Sequence, residues 1–487
     1  MTINLTNSTL LKTQAYIDGQ WIEGDNNDTF DVLNPATGEV LASVVSLGVD
    51  ETRRAIESAH RALPLWREKP AKERAQLLRR WFDLMMANQE DLARIMTLEQ
   101  GKPLAESRGE IAYGASFIEW FAEEAKRVYG DIIPGPSDRR LIAIKQPVGV
   151  VAAITPWNFP SAMLARKAGP ALAAGCTFII KPAKETPLSA LALVELAEQA
   201  GIPAGVINAV VSNDSRSIGA ELTQNPLVRK LSFTGSTPVG KQLLKQSADT
   251  LKKVSMELGG NAPVIVFEDA DLDLAVAGAI ASKYRNAGQT CICANRLLIQ
   301  ESIAQAFTDK FTTAVNQLQV GNGLDDSVVL GPLINRQALE DVDAMVQDAI
   351  DQGALAATGG RAPDNSSAFY PPTVLTNVTD SMRVFREEIF GPVAPIFTFT
   401  NEADAIQQAN DTEFGLASYF YTQNMSRAWR VAEALDYGMI GVNEVAITSE
   451  TIPFGGVKES GMGREGSKYG MDDYLEIKYI CMGGLTP

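Results

Sequence analysis

Between residues 148 and 247, short continuous apolar stretches alternate with stretches whose apolar residues recur at helical spacing. The first kind predicts strands, at 148–155, 177–181, 206–211 and 230–233, and the second kind predicts the helices that connect them. Because such strands carry few polar side chains on either face, they predict a parallel sheet covered by helices on both sides. An α/β sheet of this kind is the usual scaffold of a dinucleotide-binding domain.

Further regions complete the predicted α/β fold. Residues 50–129 have helical periodicity, strands and helices alternate again from about residue 262 to 442, and residues 473–481 have strand composition. A terminal strand needs a pairing partner. We therefore expect three parts along the chain. They are a dinucleotide-binding domain of residues 1–126 and 148–259, a catalytic α/β domain of residues 260–459, and a small β element of residues 127–147 and 460–487.

The composition excludes several classes of protein. The formal net charge of −16 disfavours nonspecific binding to nucleic acid or acidic membranes, and no apolar run approaches the ~18 residues of a membrane span. Four cysteines are too few for a disulfide scaffold and fit no zinc spacing, and the single histidine, His60, excludes a multi-histidine metal site. The polar N-terminal stretch lacks the pattern of a signal peptide. We expect a cytoplasmic protein acting on a small molecule, without a metal, a membrane or a nucleic acid as partner.

Three motifs contain residues suited to catalysis. Cys291, in GQTCIC at residues 288–293, follows a Gly-Gln turn as a candidate nucleophile, with a buried packing residue as the alternative. Glu257 ends an apolar strand before two glycines, where a carboxylate can act as general base, although a surface glutamate before a turn is equally consistent. Asn158, held between prolines in TPWNFP at residues 155–160, can donate its amide to a developing oxyanion or merely start a helix.

Two other strand ends are suited to a dinucleotide. The turn GSTPVG at residues 235–240 opens a helix and can present backbone N–H groups to a pyrophosphate, although its glycine spacing is not the usual G-x-G-x-x-G. Lys181 and Lys184 follow the second strand, where such folds contact the adenosine ribose. Two lysines there favour a 2′-phosphate, hence NADP over NAD, unless Lys184 is a solvated surface residue.

In this order along the chain, the motifs resemble those of the aldehyde dehydrogenase superfamily. MELGGN (256–261) and GQTC (288–291) are similar to its two signature motifs in sequence and in separation, and NPATG (34–38), EIFGP (388–392) and PFGG (453–456) are similar to further landmarks. The resemblance covers nearly the whole chain. It implies a variant Rossmann domain, an α/β catalytic domain and a small β oligomerisation element through which subunits form homodimers or homotetramers.

The resemblance also implies a role for each motif. Cys291 would attack an aldehyde, Asn158 and the Cys291 N–H would hold the oxyanion, and, after hydride transfer, Glu257 would activate the water that hydrolyses the thioester. Residues at the strand ends, together with Glu388, would hold NADP or NAD. The residues expected to contact the cofactor are Thr155, Pro156, Trp157, Lys181, Ala183, Lys184, Gly235, Ser236, Gly240, Leu258, Glu388 and Phe390.

Within the family, the chain is most similar to the members that oxidise succinate semialdehyde, an aldehyde that 4-aminobutyrate breakdown can supply. Arg166, Arg285 and Ser449 carry this similarity, because two arginines and a serine bind the distal carboxylate in that subfamily. Arginine suits the role since its planar fork makes paired, charge-assisted bonds to a carboxylate. Structural ion pairs are the alternative interpretation of Arg166 and Arg285.

Other functions stay open at this point. Glutarate semialdehyde, or another small carboxylate-bearing aldehyde, is an alternative substrate. A non-catalytic protein on the same fold and a cofactor-independent cysteine hydrolase are the alternatives from other classes. Cys293 is a candidate redox partner, because in relatives of the subfamily a cysteine at this place can bond the nucleophile under oxidation; a packing residue is the other interpretation.

Overall fold

An eight-stranded sheet organises the first half of the chain in the computed structural model, which describes residues 3–363 and 367–485. In spatial order its strands are β19 (Gly461–Met462), β11 (Lys253–Glu257), β10 (Val228–Thr234), β7 (Val150–Ile154), β8 (Thr177–Lys181), β9 (Ile207–Ala209), β1 (Ala15–Ile17) and β2 (Gln20–Ile22). The five strands from β11 to β9 are parallel, which confirms the parallel sheet predicted from their apolar sequences. Each of them packs into one large hydrophobic core.

Eight helices belong to this half of the chain. They are α1 (Val49–Glu68), α2 (Ala71–Ala87), α3 (Gln89–Gln100), α4 (Leu104–Glu124), α5 (Pro160–Ala174), α6 (Pro187–Gln199), α7 (Ser215–Gln224) and α8 (Thr237–Ser247). Every residue of α5 is buried, because this helix packs between α4 and the sheet. It therefore holds rigidly the segment that precedes it, residues 155–159.

A seven-stranded sheet organises the second half, around a core of its own. Its strands are β14 (Leu355–Thr358), β15 (Thr373–Thr376), β16 (Val393–Phe399), β13 (Ala294–Gln300), β12 (Ala262–Val266), β17 (Ala417–Tyr421) and β18 (Met439–Val442). All neighbours are parallel except β14 and β15. The helices are α9 (Leu272–Tyr284), α10 (Ala304–Val315), α11 (Arg336–Asp351), α12 (Arg383–Arg386), α13 (Glu402–Asn410) and α14 (Met425–Ala434).

The strand predicted at the end of the chain is β20 (Leu475–Met482), and it pairs within its own chain. It lies antiparallel to β6 (Arg140–Pro147), which in turn pairs with β5 (Asp131–Ile133). A separate hairpin joins β3 (Thr29–Leu33) to β4 (Val40–Val45). In the described part of the chain, the outer edge of β20 has no neighbouring strand. Residues 461–462, which we grouped with this terminal element, pair instead with the edge of the first sheet.

The two large sheets meet where the strands of the first end and those of the second begin, and this arrangement positions the site. In the first sheet Ile154 is level with Lys181, and Thr234 is level with Glu257, so these strands end together. The chain then crosses through residues 258–261 into β12, which begins beside β13. The carboxyl ends of the first sheet therefore face the amino ends of the second. Ligand sites of open α/β sheets lie outside the carboxyl ends of their strands.

Across residues 3–363 and 367–485, none of the helices combines the length and the apolarity that crossing a membrane requires.

Candidate active site

A cavity of about 320 Å³ lies at this junction and brings together residues from distant parts of the sequence. Nine of the residues predicted for catalysis or cofactor binding line it: Pro156, Trp157, Asn158, Gly235, Ser236, Leu258, Cys291, Glu388 and Phe390. Four lining residues were not predicted: Phe159, Met163, Thr234 and Gly259. Phe159 and Met163 lie in or beside the first turn of α5, so their places follow from the packing of that helix.

Cys291 reaches the cavity because the chain makes a left-handed turn just before it. Asn286, Ala287 and Gly288 have φ values of +51°, +55° and +75°. A Cβ on Gly288 would lie 2.2 Å from the carbonyl oxygen of Gly391, so only glycine fits there. The turn leaves Cys291 half-buried, directly ahead of β13.

Glu257 ends β11 as a buried carboxylate without a partner. Neither of its carboxylate oxygens has a hydrogen-bond partner among the described residues, and the residue is only 3% exposed. Burial and the nearby Glu465 raise the pKa of its carboxyl well above the ordinary value, while Arg166 and Lys167 oppose this rise. A buried carboxyl with a raised pKa can accept a proton near neutral pH, which is the property of a general base.

Glu388 also lies at the cavity, next to the two glycines of the crossing segment. Its Oε1 accepts from the Gly260 N–H at 3.0 Å, and a Cβ on Gly259 would lie 2.6 Å from its Oε2. Burial raises the pKa of the Glu388 carboxyl to about 7. Phe390, two residues on, packs edge to face on Trp157 with 5.6 Å between ring centroids.

The asparagine predicted to stabilise an oxyanion is buried and firmly held. Asn158 Nδ2 donates to the carbonyl of Gln289 at 2.9 Å, which ties the asparagine to the turn that carries Cys291. An amide nitrogen has two hydrogens, so the second N–H of Asn158 is available to a ligand in the cavity that both residues line.

The other predicted cofactor residues do not line the cavity. Lys181 is buried and donates to the carbonyl of Pro182 at 3.2 Å, and burial lowers the pKa of its ammonium to about 8. Thr155 is buried and its hydroxyl has no partner among the described residues. A Cβ on Gly240 would lie 2.4 Å from Leu258, so this glycine supports a lining residue. Lys184 is exposed, beside a separate cavity that Glu99 also lines, and Ala183 is half-buried between the two lysines.

The two arginines expected to bind a carboxylate have different surroundings. Arg166 is fully buried on α5, with its guanidinium 3.9 Å from the Phe454 ring and Nη2 3.0 Å from Glu465 Oε2. Glu465 also pairs with Lys167. Arg166 therefore has the ion pair expected if its role is structural. The Nη2–Oε2 contact is not aligned as a hydrogen bond. Burial, Glu388 and Glu257 raise the pKa of Cys291, and the charge of Arg166 opposes this rise, so the guanidinium acts electrostatically on the nucleophile.

Arg285, in contrast, is exposed, and its side chain makes no hydrogen bond or ion pair within residues 3–363 and 367–485. Its guanidinium lies 4.9 Å from the centroid of Phe159, which lines the cavity. Ser449 lies half-buried in the loop after β18, and its hydroxyl is 2.8 Å from that of Thr451. The geometry thus places a free cation beside the cavity, whereas Ser449 is not among the described lining residues.

Cys293 is buried and its thiol contacts groups other than Cys291. Its Sγ donates to the carbonyl of Gly288 at 3.2 Å and lies 3.8 Å from Lys283 Nζ. Both Cys291 and Cys293 are free thiols. A disulfide between them would require Cys293 to leave these contacts.

No group of three or more His, Cys, Asp or Glu side chains able to hold a metal occurs in residues 3–363 and 367–485. Sequence analysis did not identify several buried charged side chains near the cavity: Lys102, Glu110, Lys167 and Glu465. Lys102 carries a weak signal, since a lysine between two apolar helical stretches is a candidate for burial with a partner.

The resting thiol of Cys291 should alkylate slowly at neutral pH. Burial, Glu388 and Glu257 raise its pKa to about 12, so the thiolate fraction and the rate with iodoacetamide should climb steadily from pH about 7 to about 10. Removing the negative charge in Glu388→Gln should speed alkylation by about tenfold at fixed pH, the equivalent of one pKa unit.

Peptide mapping by mass spectrometry separates Cys291 from the exposed Cys481. Glu387→Gln is the matched control, because that neighbouring carboxylate is exposed and paired with Arg383; a rate plateau near pH 8 in the unmodified protein would contradict the raised pKa.

Hydrogen peroxide should join Cys291 and Cys293 in one peptide, with the loss of two hydrogens and the release of water, and a thiol reagent should restore both. Cys293→Ala should remove this product and slow the reversible loss of Cys291 reactivity. Cys481→Ala serves as the control, since that exposed thiol lies on β20. If the reactivity of Cys291 is lost and recovered in Cys293→Ala at the same rates as in the unmodified protein, Cys293 has no redox role.

Comparisons with known proteins agree with the motifs and the geometry. The model of the aldehyde dehydrogenase family matches residues 21–480. The chain is 60% identical to the succinate-semialdehyde dehydrogenase (NADP(+)) GabD of Escherichia coli, covering 99% of this chain and 100% of that one. It is also 60% identical to a glutarate-semialdehyde dehydrogenase of Pseudomonas aeruginosa, again over 99% and 100%. A crystal structure of an Escherichia coli NADP-dependent enzyme matches with a TM-score of 0.97 at 60% identity, over 99% and 100% of the two chains. The resemblance expected from the motifs is thereby confirmed, and the chain belongs to the aldehyde dehydrogenase family.

Proposed function

We propose that this protein oxidises succinate semialdehyde to succinate with NADP, and less efficiently with NAD, through a thioester on Cys291. The observation that carries the substrate class is Arg285, a guanidinium without a protein partner in the described chain, beside a ring that lines the same cavity as Cys291. An unpaired arginine at an apolar cavity suits a ligand carrying a carboxylate. The Escherichia coli relative that acts on succinate semialdehyde supports the same choice.

The residues around the cavity fit a dinucleotide. Ser236 caps α8 with its backbone alone, which leaves the first N–H groups of an 11-residue helix free to bind a pyrophosphate. The unpartnered Thr155 hydroxyl and the buried Lys181 ammonium lie at the adjoining strand ends, where a ribose or its 2′-phosphate would bind. Glu388, which lines the cavity together with Trp157 and Phe390, would accept a hydrogen bond from a ribose hydroxyl. When bound, NADP would supply the acceptor for the hydride.

The chain's own residues then account for the remaining chemistry. Cys291 attacks the aldehyde carbon after its thiol proton passes to a base, for which Glu257 and Glu388 both have suitably raised pKa values. The second N–H of Asn158 and the Cys291 N–H stabilise the oxyanion. After the hydride leaves, the thioester remains on Cys291. Glu257 takes a proton from water, which attacks the thioester and releases the acid.

The clamp on the substrate carboxylate rests mainly on Arg285, because Arg166 already shares Glu465 with Lys167. Arg166 contributes its positive charge, because its guanidinium is already paired with Glu465. Glutarate semialdehyde is the second candidate substrate, favoured by the Pseudomonas aeruginosa relative. One methylene changes binding in a pocket by only about 1–3 kcal/mol, so we expect measurable activity on both.

The test compares succinate semialdehyde, glutarate semialdehyde and butanal, each with NADP and with NAD. Butanal has a methyl group where succinate semialdehyde has its carboxylate, and a charged hydrogen bond is worth about 1.5–3 kcal/mol, so kcat/KM should favour succinate semialdehyde by about 10- to 100-fold. Arg285→Ala should abolish most of that preference and leave the rate with butanal nearly unchanged.

Arg430→Ala is the matched control, an exposed arginine on α14 that pairs with Glu402. Equal activity on butanal and succinate semialdehyde would exclude the carboxylate clamp while leaving aldehyde oxidation intact. Turnover without added nucleotide would instead point to the cysteine hydrolase. The NADP assignment fails if NAD gives the higher kcat/KM.

We also propose that the protein forms a homodimer or homotetramer through β20. Ile477 and Tyr479 lie on one face of this edge strand and are 73% and 60% exposed, and Ile132 on β5 is 77% exposed. An apolar edge strand favours pairing with another chain. The division of the chain into three domains and the cytoplasmic location stay predictions.

Ile477→Asp combined with Tyr479→Asp should shift the mass measured by light scattering from an oligomer toward a single chain. Leu65→Asp is the matched control, because that leucine is equally exposed but lies on α1. A single-chain mass for the unmodified protein, or an unchanged oligomer in the double variant, would rule out this interface.

A further inference from the structure

Lys102, which has no part in the chemistry above, is buried against two residues of the active-site cavity. It lies between α3 and α4 and is 2% exposed. Its Nζ donates to the backbone carbonyl of Asn158 at 2.7 Å and lies 4.0 Å from the ring centroid of Phe159. The lysine thus contacts the backbone of the oxyanion asparagine rather than its side chain.

The ammonium of Lys102 is itself held in place. Its third contact is Glu110 Oε2 on α4, at 2.6 Å. The other oxygen of Glu110 accepts from the backbone N–H groups of Ser161 and Ala162, at 3.0 and 3.1 Å. These two residues form the first turn of α5, so the Lys102–Glu110 pair fixes the chain on both sides of Phe159 and Pro160.

A second set of hydrogen bonds holds the same carbonyl from the side of the nucleophile. Asn286 Nδ2 donates to the Asn158 carbonyl at 3.1 Å and to the Gln289 carbonyl at 3.3 Å. Gln100 Nε2 in turn holds Asn286 Oδ1 at 3.0 Å. The carbonyl of Asn158 therefore sits between two anchored donors, one from each half of the chain.

This geometry has a consequence for catalysis, because an oxyanion donor must be in place before charge develops. One N–H of Asn158 is already committed to Gln289, so the direction of the other depends on how the Asn158 backbone is held. A displacement of about 1 Å at a reacting group can cost about 100-fold in rate.

We propose that Lys102 is a positioning residue: with Glu110 it fixes the Asn158 backbone so that the free amide N–H points at the developing oxyanion on the Cys291 adduct. This inference rests on the proposed role of Asn158. The competing interpretation is a buried ion pair that stabilises the fold and has no particular effect on Asn158.

A double-mutant cycle separates the two interpretations. Lys102→Met combined with Glu110→Gln removes both charges of the pair together, and both changes are made with and without Asn158→Ala. We expect the pair variant to lower kcat by about tenfold or more, with KM for the nucleotide unchanged. In the Asn158→Ala background the same changes should lower kcat by less than about twofold, because no amide remains to be positioned. Equal factors in the two backgrounds overturn the proposal.

Lys252→Met is the matched control, since Lys252 is a buried lysine that donates to two backbone carbonyls, of Asn225 and Val228, both at 3.1 Å and away from the cavity. It should lower Tm without lowering kcat. If it lowers kcat as much as the pair variant does, loss of a buried lysine explains the result and the proposal fails. Should the pair variant not fold, Glu110→Gln alone, which keeps the ammonium but loosens it, is taken through the same cycle with the same criterion.

The outcome for Asn158→Ala alone distinguishes this inference from the proposed function. If Asn158→Ala lowers kcat and the pair variant does not, the role of Lys102 is wrong and the oxyanion assignment stands. If Asn158→Ala leaves kcat unchanged, the oxyanion assignment fails and the positioning role fails with it.

Discussion

The close approach of the crossing segment to the nucleophile loop is the constraint on which the rest of the site depends. A Cβ on Gly260 would lie 2.2 Å from the Cys291 carbonyl oxygen, and a Cβ on Gly259 would lie 2.6 Å from Glu388. Residues with a Cβ would not fit at these two positions, so two glycines are needed for the segment between β11 and β12 to pass this close to Cys291 and Glu388. Because it does, Glu257 from the first sheet and Cys291 from the second lie within electrostatic range of each other, and the charge of Glu257 helps to raise the pKa of Cys291.

Several buried charged side chains lie around that contact. The Glu257 carboxylate has no hydrogen bond among the described residues, whereas Glu465 is shared by Arg166 and Lys167, and Glu110 holds Lys102. Burying a charge is costly unless it is paired. The paired groups surround the cavity as fixed supports, and the unpaired carboxylate is the group free to exchange a proton.

Most residues that line the cavity could be predicted from the sequence, because the features that indicate them belong to short contiguous segments. The apolar stretch at 177–181 is β8 with the same ends, and the catalytic candidates follow strand ends or glycine turns where the chain must expose polar groups. Charge partners separated by hundreds of residues were not readable. Glu465 lies 298 residues from Lys167, and Asn158 lies 131 residues from Gln289, so nothing in either neighbourhood of the sequence indicates the pairing. The two lysines of KPAK illustrate the same limit, because the structure buries Lys181 and directs Lys184 to a separate cavity.

The sequence alone determined the parallel α/β architecture and the family, and it singled out the three side chains proposed to react, since strand periodicity and glycine-bounded motifs are properties of contiguous residues. Tertiary structure decided which of the two arginines has a guanidinium without an ion-pair partner in the described part of the chain. Arg166 and Arg285 look alike in sequence, but α5 is buried along its whole length and brings Arg166 to Glu465, whereas Arg285 follows the end of α9 and stays exposed beside Phe159. Burial forces a charge to find a partner, and only packing determines which charges are buried.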